Sequence, residues 1–432
     1  MKVEYLESGE KPAREYLRRL GTVGGDVAEE VATIIAEVRE RGDVALAEFT
    51  ERFDGAKKNS FYVAPDAIAR AVKAADRQVI AALEKAARNI WDFHENQKQK
   101  SWFLTREDGA LIGSRLTPID SVGVYVPGGR AQYPSTVLMD VIPARVAGVR
   151  RIVIVTPPRP DGSLSPELLA AAQIAGATEV YAVGGAQAIA ALTYGTEQIA
   201  AVDKIVGPGN SYVAAAKRLV SGDVGIDMVA GPSEVLILAD ETADPAFVAI
   251  DLLAQAEHDP EAATFLVTTD EELVDEVIER IEAYLARSPR LEVTKESIDK
   301  CCTVFVCPDL ATALLAANSI APEHLEIQMD QPLELLGLIE NAGSIFLGPW
   351  TPESVGDYVA GPNHTLPTGG TARFSSPLSV DDFTKRSSVI SYSFAALEAD
   401  AATIQTIAAC EGLWAHAQAV ELRLNPETDG ED

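Results

Sequence analysis

The sequence contains no long apolar segment. Among its 432 residues, no stretch approaches the roughly 18 uninterrupted apolar residues that span a bilayer. The first residues, MKVEYLESGEKPAREYL, carry charges where a secretory signal peptide needs an apolar core. We therefore expect neither a membrane span nor a signal peptide. We expect the protein to be cytoplasmic.

Cysteine is scarce as well. The four cysteines stand at positions 301, 302, 307 and 410, and no two of them form a CxxC pair. This number and spacing argue against a disulfide framework and against a cysteine-based zinc site. We expect free thiols.

Basic residues are outnumbered by acidic ones. The chain has 36 Lys and Arg against 65 Asp and Glu, a formal net charge of −29. Nucleic acids and anionic membranes bind basic surfaces that displace their counterions, so neither is expected as a partner. An anionic cofactor such as NAD is compatible with this charge, because a local cluster of backbone N–H groups can hold phosphate.

What is present indicates a folded α/β protein. The composition, 47% hydrophobic and 23% charged, is typical of globular proteins, and the length suggests two or three domains. Up to about residue 100 the pattern is helical, with apolar residues at helix spacing from Val27 to Val38 behind Asp26, a candidate N-cap. Short Val/Ile-rich strands then alternate with helical segments, as in RRIVIVTPP, PELLAAAQIAGA, EVYAVGG and AQAIAALTYG, and a second series begins near residue 234 with EVLILAD. This alternation predicts two similar halves, each with a parallel sheet covered by helices.

Two later segments break this pattern. The Gly/Pro-rich stretch GPWTPESVGDYVAGPNHTLPTGGTARFSSP follows Phe346 and has neither helix nor strand periodicity. Its aromatic and histidine content predicts an ordered active-site segment rather than disorder. The polar tail NPETDGED is expected to fray.

Glycine-rich turns are the candidate phosphate sites. No GxGxxG follows a predicted strand, so the usual dinucleotide fingerprint is absent. PGG at 127, GG at 184 and GPGN at 207 nevertheless each follow a strand and precede a helix, where ligands collect at the carboxyl edge of a parallel sheet. For any one of them, an ordinary turn between strand and helix is the simpler explanation.

The histidines direct attention to a few acid and imidazole groups. Gln255 and His258 are three residues apart on a predicted helix and share one face, although a helix-end histidine beside a solvent-facing glutamine is the commoner explanation. Glu323 and His324 are adjacent and offer two general bases, with reference pKa values of about 4.3 and 6.5. An exposed helix start with a glutamate in its first turn would give the same adjacent Glu and His.

A metal site is a further possibility. Asp357 lies in the Gly/Pro-rich segment with His364, and His416 lies on a C-terminal helix after Glu411. Nitrogen and oxygen ligands suited to Zn²⁺ would be supplied by Gln255, His258, Asp357 and His416. Spacing alone does not bring these four together, and Glu257 would be a more ordinary ligand than Gln255.

Eleven segments, taken in order, resemble the histidinol dehydrogenase family. They are GVYVPGG, YPSTVLM, IPARVAGV, GGAQAIAALTYGT, DKIVGPGNSYVAAAK, GIDMVAGPSEVLILAD, AQAEHDP, APEHLEI, NAGSIFLG, GDYVAGPNHTLPT and EGLWAHAQAV. The match runs from about residue 20 to residue 424. Each piece is weak alone, but their order across the chain is highly specific.

The resemblance implies a role for particular residues. One zinc ion per subunit would be bound by Gln255, His258, Asp357 and His416. The acid–base groups would be Glu323 and His324. NAD would contact Tyr125, Gln187 and Asn210. The substrate would contact Ser233, Gln255, His258, His324, Asp357, Glu411 and His416.

The resemblance also implies a fold and a domain arrangement. Two incomplete Rossmann-like halves, similar to aldehyde dehydrogenases, would carry helical N- and C-terminal extensions that intertwine in a homodimer, with His416 donated across the interface. The expected regions are residues 1–110, helical and packed on the second half; 111–233, the first half on the NAD side; 234–380, the second half with the zinc and acid–base residues; and 381–432, the swapped extension.

The implied reaction is the NAD-linked oxidation of L-histidinol through L-histidinaldehyde to L-histidine, a terminal step of histidine biosynthesis. Zinc would position the substrate, His324 would take the alcohol proton, and Glu323 would help water add to the aldehyde. One alternative is a related zinc and NAD dehydrogenase of another small alcohol, and another is a zinc hydrolase. A thiol-based aldehyde dehydrogenase is less favoured because no cysteine lies in a matched catalytic segment. A non-catalytic binding module would have no need of a complete ligand set.

Overall fold

The protein is described by a computed structural model that covers residues 1–13, 16, 25–128 and 133–426. The chain divides into two compact units, a larger one of residues 1–97 and 119–383 and a smaller one of residues 98–118 and 384–432. Gly129 of the PGG turn and the tail from Glu427 onward lie outside the described residues. The predictions made for them remain predictions.

The described part of the chain forms strands and helices in the following order. The strands are β1 (Lys2–Tyr5), β2 (Trp102–Thr105), β3 (Leu111–Pro118), β4 (Ser121–Tyr125), β5 (Arg151–Thr156), β6 (Glu179–Ala182), β7 (Lys204–Val206), β8 (Gly225–Ile226), β9 (Glu234–Ala239), β10 (Ala263–Thr268), β11 (Cys302–Val306), β12 (His324–Gln328), β13 (Ser344–Leu347) and β14 (Thr384–Ser391). The α-helices are α1 (Gly25–Arg41), α2 (Asp43–Asp54), α3 (Pro65–Ala74), α4 (Arg77–Glu95), α5 (Pro134–Ala147), α6 (Pro166–Ala175), α7 (Gly185–Tyr194), α8 (Ser211–Val220), α9 (Pro245–Ala256), α10 (Glu271–Leu285), α11 (Leu291–Cys301), α12 (Leu310–Ile320), α13 (Glu353–Tyr358), α14 (Phe394–Cys410) and α15 (Trp414–Leu424). Short 3₁₀ helices occur at Pro332–Leu338, Thr371–Arg373 and Val380–Phe383.

Two parallel sheets organise the larger unit. The first has the order β6-β5-β4-β7-β8, and the second has the order β1-β11-β10-β9-β12-β13. Strands such as β9 and β10 are buried along their whole length, as expected where helices cover both faces of a sheet. The prediction of two parallel-sheet α/β halves is confirmed.

The N-terminal helices pack on the first half. Val31 and Leu46 lie in one apolar cluster with Ile189 of α7, and Leu83 and Ile90 lie in another with residues of β4 and α5. The expectation that residues 1–110 pack on the second half is therefore wrong for these helices. Among the described residues of this region, β1 alone joins the second sheet, where it pairs with β11.

The smaller unit is built from two separate stretches of chain. Strands β14, β3 and β2 form an antiparallel sheet, with Leu111 opposite Ser391 and Pro118 opposite Thr384. Helices α14 and α15 pack against each other. This pairing moves the expected boundaries at 110/111 and 380/381, because residues 98–118 belong with residues 384–432.

Within the described ranges, no helix combines the length and the apolar character needed to cross a membrane.

Candidate active site

The candidate active site lies where opposite edges of the two sheets face each other. Gly207 and Gly209 follow β7 at the carboxyl edge of the first sheet, whereas Ser233 and Glu323 precede β9 and β12 at the amino edge of the second. These four residues line one cavity of about 120 Å³, together with His364. Concave pockets with convergent polar groups are the usual place for small-molecule chemistry.

Glu323 and His324 enter the site from a tight turn. Helix α12 ends at Ala321, whose φ of 52° lies in the left-handed region, and Pro322 then leads the chain into β12. Glu323 is 6% exposed and His324 4% exposed, so the alternative of an exposed helix start is wrong. Strand β12 pairs with β9 with His324 opposite Val235, and the His324 ring reaches the backbone carbonyl of the preceding residue, Glu234.

The hydrogen bonds of His324 define which ring nitrogen is reactive. Its Nδ1 lies 3.1 Å from the carbonyl oxygen of Glu234, an acceptor, so Nδ1 carries the proton in the neutral ring. Nε2 is therefore a lone-pair acceptor, and it has no hydrogen-bond partner among the described residues. The nearest carboxylate to Nε2 is Oδ1 of Asp357, at 3.9 Å. A buried acceptor without a partner is suited to receive a proton from a ligand.

Burial shifts the pKa values of Glu323 and His324 in opposite directions. It raises the pKa of Glu323 well above its usual value, and the nearby charges of Glu234 and Asp357 raise it further, although a hydrogen bond from the Glu234 N–H opposes this. Burial lowers the pKa of His324 to about 3. Strong displacement by burial and charged neighbours is typical of functional sites.

Helix α9 delivers Gln255 and His258 to the same place. The Asp244 carboxylate caps its start by accepting from Ala246 N–H at 2.8 Å. Gln255 continues the buried stripe of Val248 and Leu252 at helix spacing, yet it is polar and fully buried. The helix returns antiparallel to the strands, so its C-terminal end and His258 reach the amino edge of the second sheet.

Glu353 joins these two side chains and was not anticipated from the sequence. With its amide oriented to satisfy hydrogen bonding, the Gln255 nitrogen donates to Oε1 and Oε2 of Glu353 at 2.6 and 2.7 Å. Ligand atoms of His258, Glu353 and Asp357 all lie within 4.8 Å of one another. The Glu353 N–H is held by Glu326 Oε1 at 2.8 Å, which anchors the start of α13.

Asp357 stands between two histidines. Its Oδ1 lies 3.9 Å from His324 Nε2 and 3.9 Å from His364 Nδ1. Burial raises the pKa of Asp357 to about 7 and lowers that of His364 to about 4. The Gly/Pro-rich segment is ordered around the site as expected, but it contains the short helix α13, on which Glu353 and Asp357 share a face.

The donor set fits a divalent cation. Besides Asp357 the structure buries three acids, Glu323, Glu326 and Glu353, each at most 6% exposed, and Glu326 accepts from the Glu353 N–H. Burial raises the pKa of each of these three carboxyl groups, because desolvation disfavours their charged form. Carboxylate, imidazole and amide donors are ligands for Zn²⁺, whose positive charge would stabilise that charged form.

Two of the three residues predicted to contact NAD, Tyr125 and Gln187, are buried in the first half. Tyr125 ends β4, is 4% exposed and accepts a hydrogen bond from Gly185 N–H at 3.1 Å. Gln187 is 1% exposed, and both polar atoms of its amide lack a partner within the described ranges. An unpaired buried amide is costly unless a ligand satisfies it, so these residues fit a cofactor.

Asn210, the third residue predicted to contact NAD, has a structural function. The Asn210 Oδ1 caps α8 by accepting from Tyr212 N–H at 3.1 Å and Val213 N–H at 3.2 Å. Its amide nitrogen is the atom left for a ligand. The turns at Gly184 and Gly207 lie between strand and helix, as predicted.

The remaining predicted residues fall outside this cluster or outside this unit. Ser233 lines the cavity beside Glu323. Glu411 and His416 belong to the smaller unit, where both are exposed. The structure thus brings Gln255, His258 and Asp357 together and leaves the predicted roles of Glu411 and His416 as predictions.

Taken together, two parallel-sheet halves with an acid–imidazole cluster between their edges define an α/β enzyme with a site suited to a metal ion. Comparison with known proteins narrows this class. The histidinol dehydrogenase family model matches residues 18–424. Curated histidinol dehydrogenases from Halalkalibacterium halodurans and Geobacillus kaustophilus are each 52% identical, the first over 95% of this chain and 97% of its own and the second over 98% and 99%. The crystal structure of histidinol dehydrogenase from Elizabethkingia anophelis is similar with a TM-score of 0.92 and 37% identity, covering 98% of both chains.

The chain belongs to the histidinol dehydrogenase family. It is accordingly an NAD-dependent dehydrogenase of histidine biosynthesis, which confirms the function expected from the eleven segments.

Proposed function

We propose that the protein oxidises L-histidinol to L-histidine through L-histidinaldehyde, using one water and two NAD⁺ and releasing two NADH and three protons. Family membership supports this substrate. The observation that carries the proposal is the buried Nε2 of His324, whose lone pair faces the cluster of Gln255, His258 and Asp357 without a partner among the described residues.

His324 acts as the proton acceptor at Nε2. The substrate hydroxyl gives its proton to this atom while the carbinol carbon gives hydride to NAD⁺. The Nδ1–H stays on the Glu234 carbonyl oxygen, 3.1 Å away, and holds the ring in the required tautomer. After this first proton has passed to water, the same nitrogen takes the hydroxyl proton of the aldehyde hydrate in the second oxidation.

Glu323 acts between the two oxidations. Its Oε2 accepts from Glu234 N–H at 2.8 Å, which fixes the carboxyl group and leaves the other oxygen for a water molecule in the cavity. Activation of this water by the carboxylate would give the hydrate of the aldehyde. Ser233, which lines the same cavity, would contact the substrate.

We infer that Gln255, His258, Asp357 and His416 of the partner subunit hold one zinc ion. When bound, zinc would offer coordination to the imidazole and amino nitrogens of the substrate and so fix its carbinol carbon. Tyr125, Gln187 and Asn210 would contact NAD. We place the reaction in the cytoplasm, where free cysteines persist as thiols.

Replacing Glu323 separates the two half-reactions. Glu323→Gln keeps the side-chain shape but removes the base, so oxidation of supplied histidinaldehyde should fall about 10²–10⁴-fold, at least as much as oxidation of histidinol. NADH formation from each substrate measures the two steps. The matched control is Glu334→Gln, an exposed glutamate of the same half, which should keep wild-type rates.

Several outcomes would contradict the proposal. If Glu323→Gln left both half-reactions near wild type, its assigned role would be wrong. Release of less than two NADH per histidine would refute the overall stoichiometry. Faster NADH formation from another small alcohol would change the substrate, and hydrolysis without NADH would indicate a zinc hydrolase.

A second copy of the chain is the proposed source of His416. The smaller unit buries no side chain larger than valine among its described residues, while Trp102, Ile390 and Trp414 are 57%, 70% and 73% exposed. Such apolar exposure is typical of a surface that another chain covers. The larger unit supplies three of the four proposed zinc ligands, Gln255, His258 and Asp357, whereas His416 belongs to the smaller unit.

Mixed dimers test this arrangement. Subunits carrying His416→Ala and subunits carrying His258→Ala should each be inactive alone. After co-refolding in equal amounts, random pairing should restore about a quarter of wild-type activity, because half of the dimers then contain one intact site. No restored activity in a mixture shown to contain heterodimers would mean that each chain supplies its own His416, or none.

A further inference from the structure

A buried ion pair lies beside the site but takes no part in the proposed chemistry. Lys217 of α8 and Asp227, just after β8, form a salt bridge with side chains only 2% and 1% exposed. Lysine is almost never fully buried unless it is paired. The pair therefore calls for a structural or functional reason.

The two charges hold the backbone of a single residue. Lys217 Nζ donates to the carbonyl oxygen of Gly207 at 2.9 Å. Gly207 N–H donates to Asp227 Oδ2 at 2.8 Å, and Met228 N–H donates to Asp227 Oδ1 at 2.6 Å. Both polar groups of Gly207 are thus fixed by charged, buried side chains.

The backbone at Gly207 has little freedom to move. Its φ is 109°, and a Cβ placed there would lie 2.2 Å from the carbonyl oxygen of Tyr125 and 3.0 Å from Asp140 Oδ2. Glycine is the residue that tolerates this conformation and this close approach. Asp140 is itself held through Oδ1, which accepts from Thr365 Oγ1 at 2.7 Å.

The residues held in this way form one wall of the active-site cavity. Gly207, Gly209 and Asp227 line it opposite Ser233 and Glu323. Asn210, which follows Gly209 in the chain, caps α8 with its side chain. Any shift of Gly207 would therefore be passed to the turn and to the start of the helix.

We propose that Lys217 and Asp227 are positioning residues for NAD, which lock the turn from Gly207 to Asn210 so that the cofactor meets Glu323 and His324 at a fixed distance. The inference rests on the proposed function in assigning NAD to this side of the cavity. A buried ion pair is a weak source of net stability, because desolvation of the charges offsets their attraction. Its specific effect here is on the geometry of the turn.

The test replaces both charges at once. Lys217→Met/Asp227→Leu leaves no single buried charge and approximately conserves volume. The KM for NAD should rise by at least about tenfold, with the KM for histidinol within about twofold of wild type and the zinc content unchanged. Hydrogen exchange at Gly207 N–H, followed by mass spectrometry, should accelerate because its acceptor is lost. If the double variant does not fold, Asp227→Asn, which retains an acceptor oxygen, should change the same readouts in the same direction by a smaller factor.

A surface pair provides the control. Lys295 and Asp299 form an i,i+4 ion pair with side chains 59% and 57% exposed, and Lys295→Met/Asp299→Leu should leave both KM values unchanged. A purely structural role of the buried pair predicts less folded enzyme with an unchanged KM for NAD, which would overturn the proposal. An unchanged KM together with faster exchange at Gly207 would overturn it too. Failure of the proposed function is distinct, because wild-type protein would then form no NADH from histidinol.

Discussion

Replacing Glu353 with alanine tests the proposal that Gln255 coordinates zinc and that Glu353 orients its amide. The fully buried amide of Gln255 donates to both oxygens of the Glu353 carboxylate, at 2.6 and 2.7 Å. This contact commits the amide nitrogen to Glu353, so Oε1 is the amide atom that would coordinate zinc. Without Glu353 the amide would lose its orientation and a charged acceptor.

The expected size of the effect follows from the strength of that contact. A hydrogen bond to a charged group contributes about 1.5–3 kcal/mol. Since about 1.4 kcal/mol corresponds to a factor of ten, zinc should bind roughly 10- to 100-fold more weakly, the range also found when an outer partner of a metal ligand is lost. If Glu353 were itself a ligand, as its place within 4.8 Å of the other donors permits, the loss would be larger.

Competition with a chelating dye measures the zinc dissociation constant without turnover. Glu334→Ala, at an exposed position, is the matched control and should bind zinc like wild type. A double variant, Gln255→Ala/Glu353→Ala, should bind zinc no more weakly than Gln255→Ala alone. Glu353 acts on zinc through Gln255, so its removal has no further effect once Gln255 is absent. A zinc affinity of Glu353→Ala within about twofold of wild type, or full additivity in the double variant, would refute this reasoning.

Two further predictions concern groups outside the acid cluster. Burial raises the pKa of Cys302 and of Cys307 to about 11, so Cys302→Ala and Cys307→Ala should each oxidise histidinaldehyde within about twofold of wild type, whereas loss of NADH formation would indicate a thiol nucleophile. Burial also raises the pKa of Asp54 to about 6, so the folded state keeps a proton that the unfolded chain releases between about pH 4 and 6, and stability falls as pH rises through that window. Asp54→Asn should therefore raise the Tm by roughly 1–3 °C at pH 8 and by little at pH 4, as measured by calorimetry, and an equal gain at both values would contradict this assignment.

The two parallel-sheet halves could be predicted from the sequence because their signals are local. Short runs rich in Val and Ile, such as RIVIVT in β5 and EVLILA in β9, are bounded by turns and separated by helical periodicity. The turns at Gly184 and Gly207 were likewise recognisable, since they stand between a strand and a helix. Such features depend on neighbours within a few residues.

Packing partners depend on residues that are distant in the sequence, so they were harder to predict from it. The apolar stripes of α1 and α4 show that these helices bury a face, but a stripe does not indicate which half will cover it. The pairing of β3 with β14 joins residues 111–118 to 384–391, a separation that periodicity cannot reveal. For this reason the domain boundaries and the packing of the N-terminal region differed from expectation.

Some site residues were missed for a related reason. Glu353 and Asp357 have the i,i+4 spacing of a shared helix face. The helix that carries them has only six residues, too few for an apolar pattern to predict it. Glu234 fixes His324 through its backbone carbonyl, a group that every residue possesses. Spacing in the Gly/Pro-rich segment could have pointed to Glu353, whereas no side-chain pattern could have pointed to the Glu234 carbonyl.

The position of Glu323 and His324 follows from the direction of the strands. Ligand sites in open parallel sheets are expected at the carboxyl edge, which holds for the turn at Gly207 in the first half. In the second half the same rule would place the site at the wrong end, because Glu323 and His258 lie at the amino edge, where strands begin and helix α9 ends. With one sheet presenting its carboxyl edge and the other its amino edge to a shared cavity, the glycine turn and the acid–imidazole cluster lie on different halves. A dehydrogenase needs that separation, since hydride must leave the substrate toward the cofactor while the proton leaves toward a base on another side.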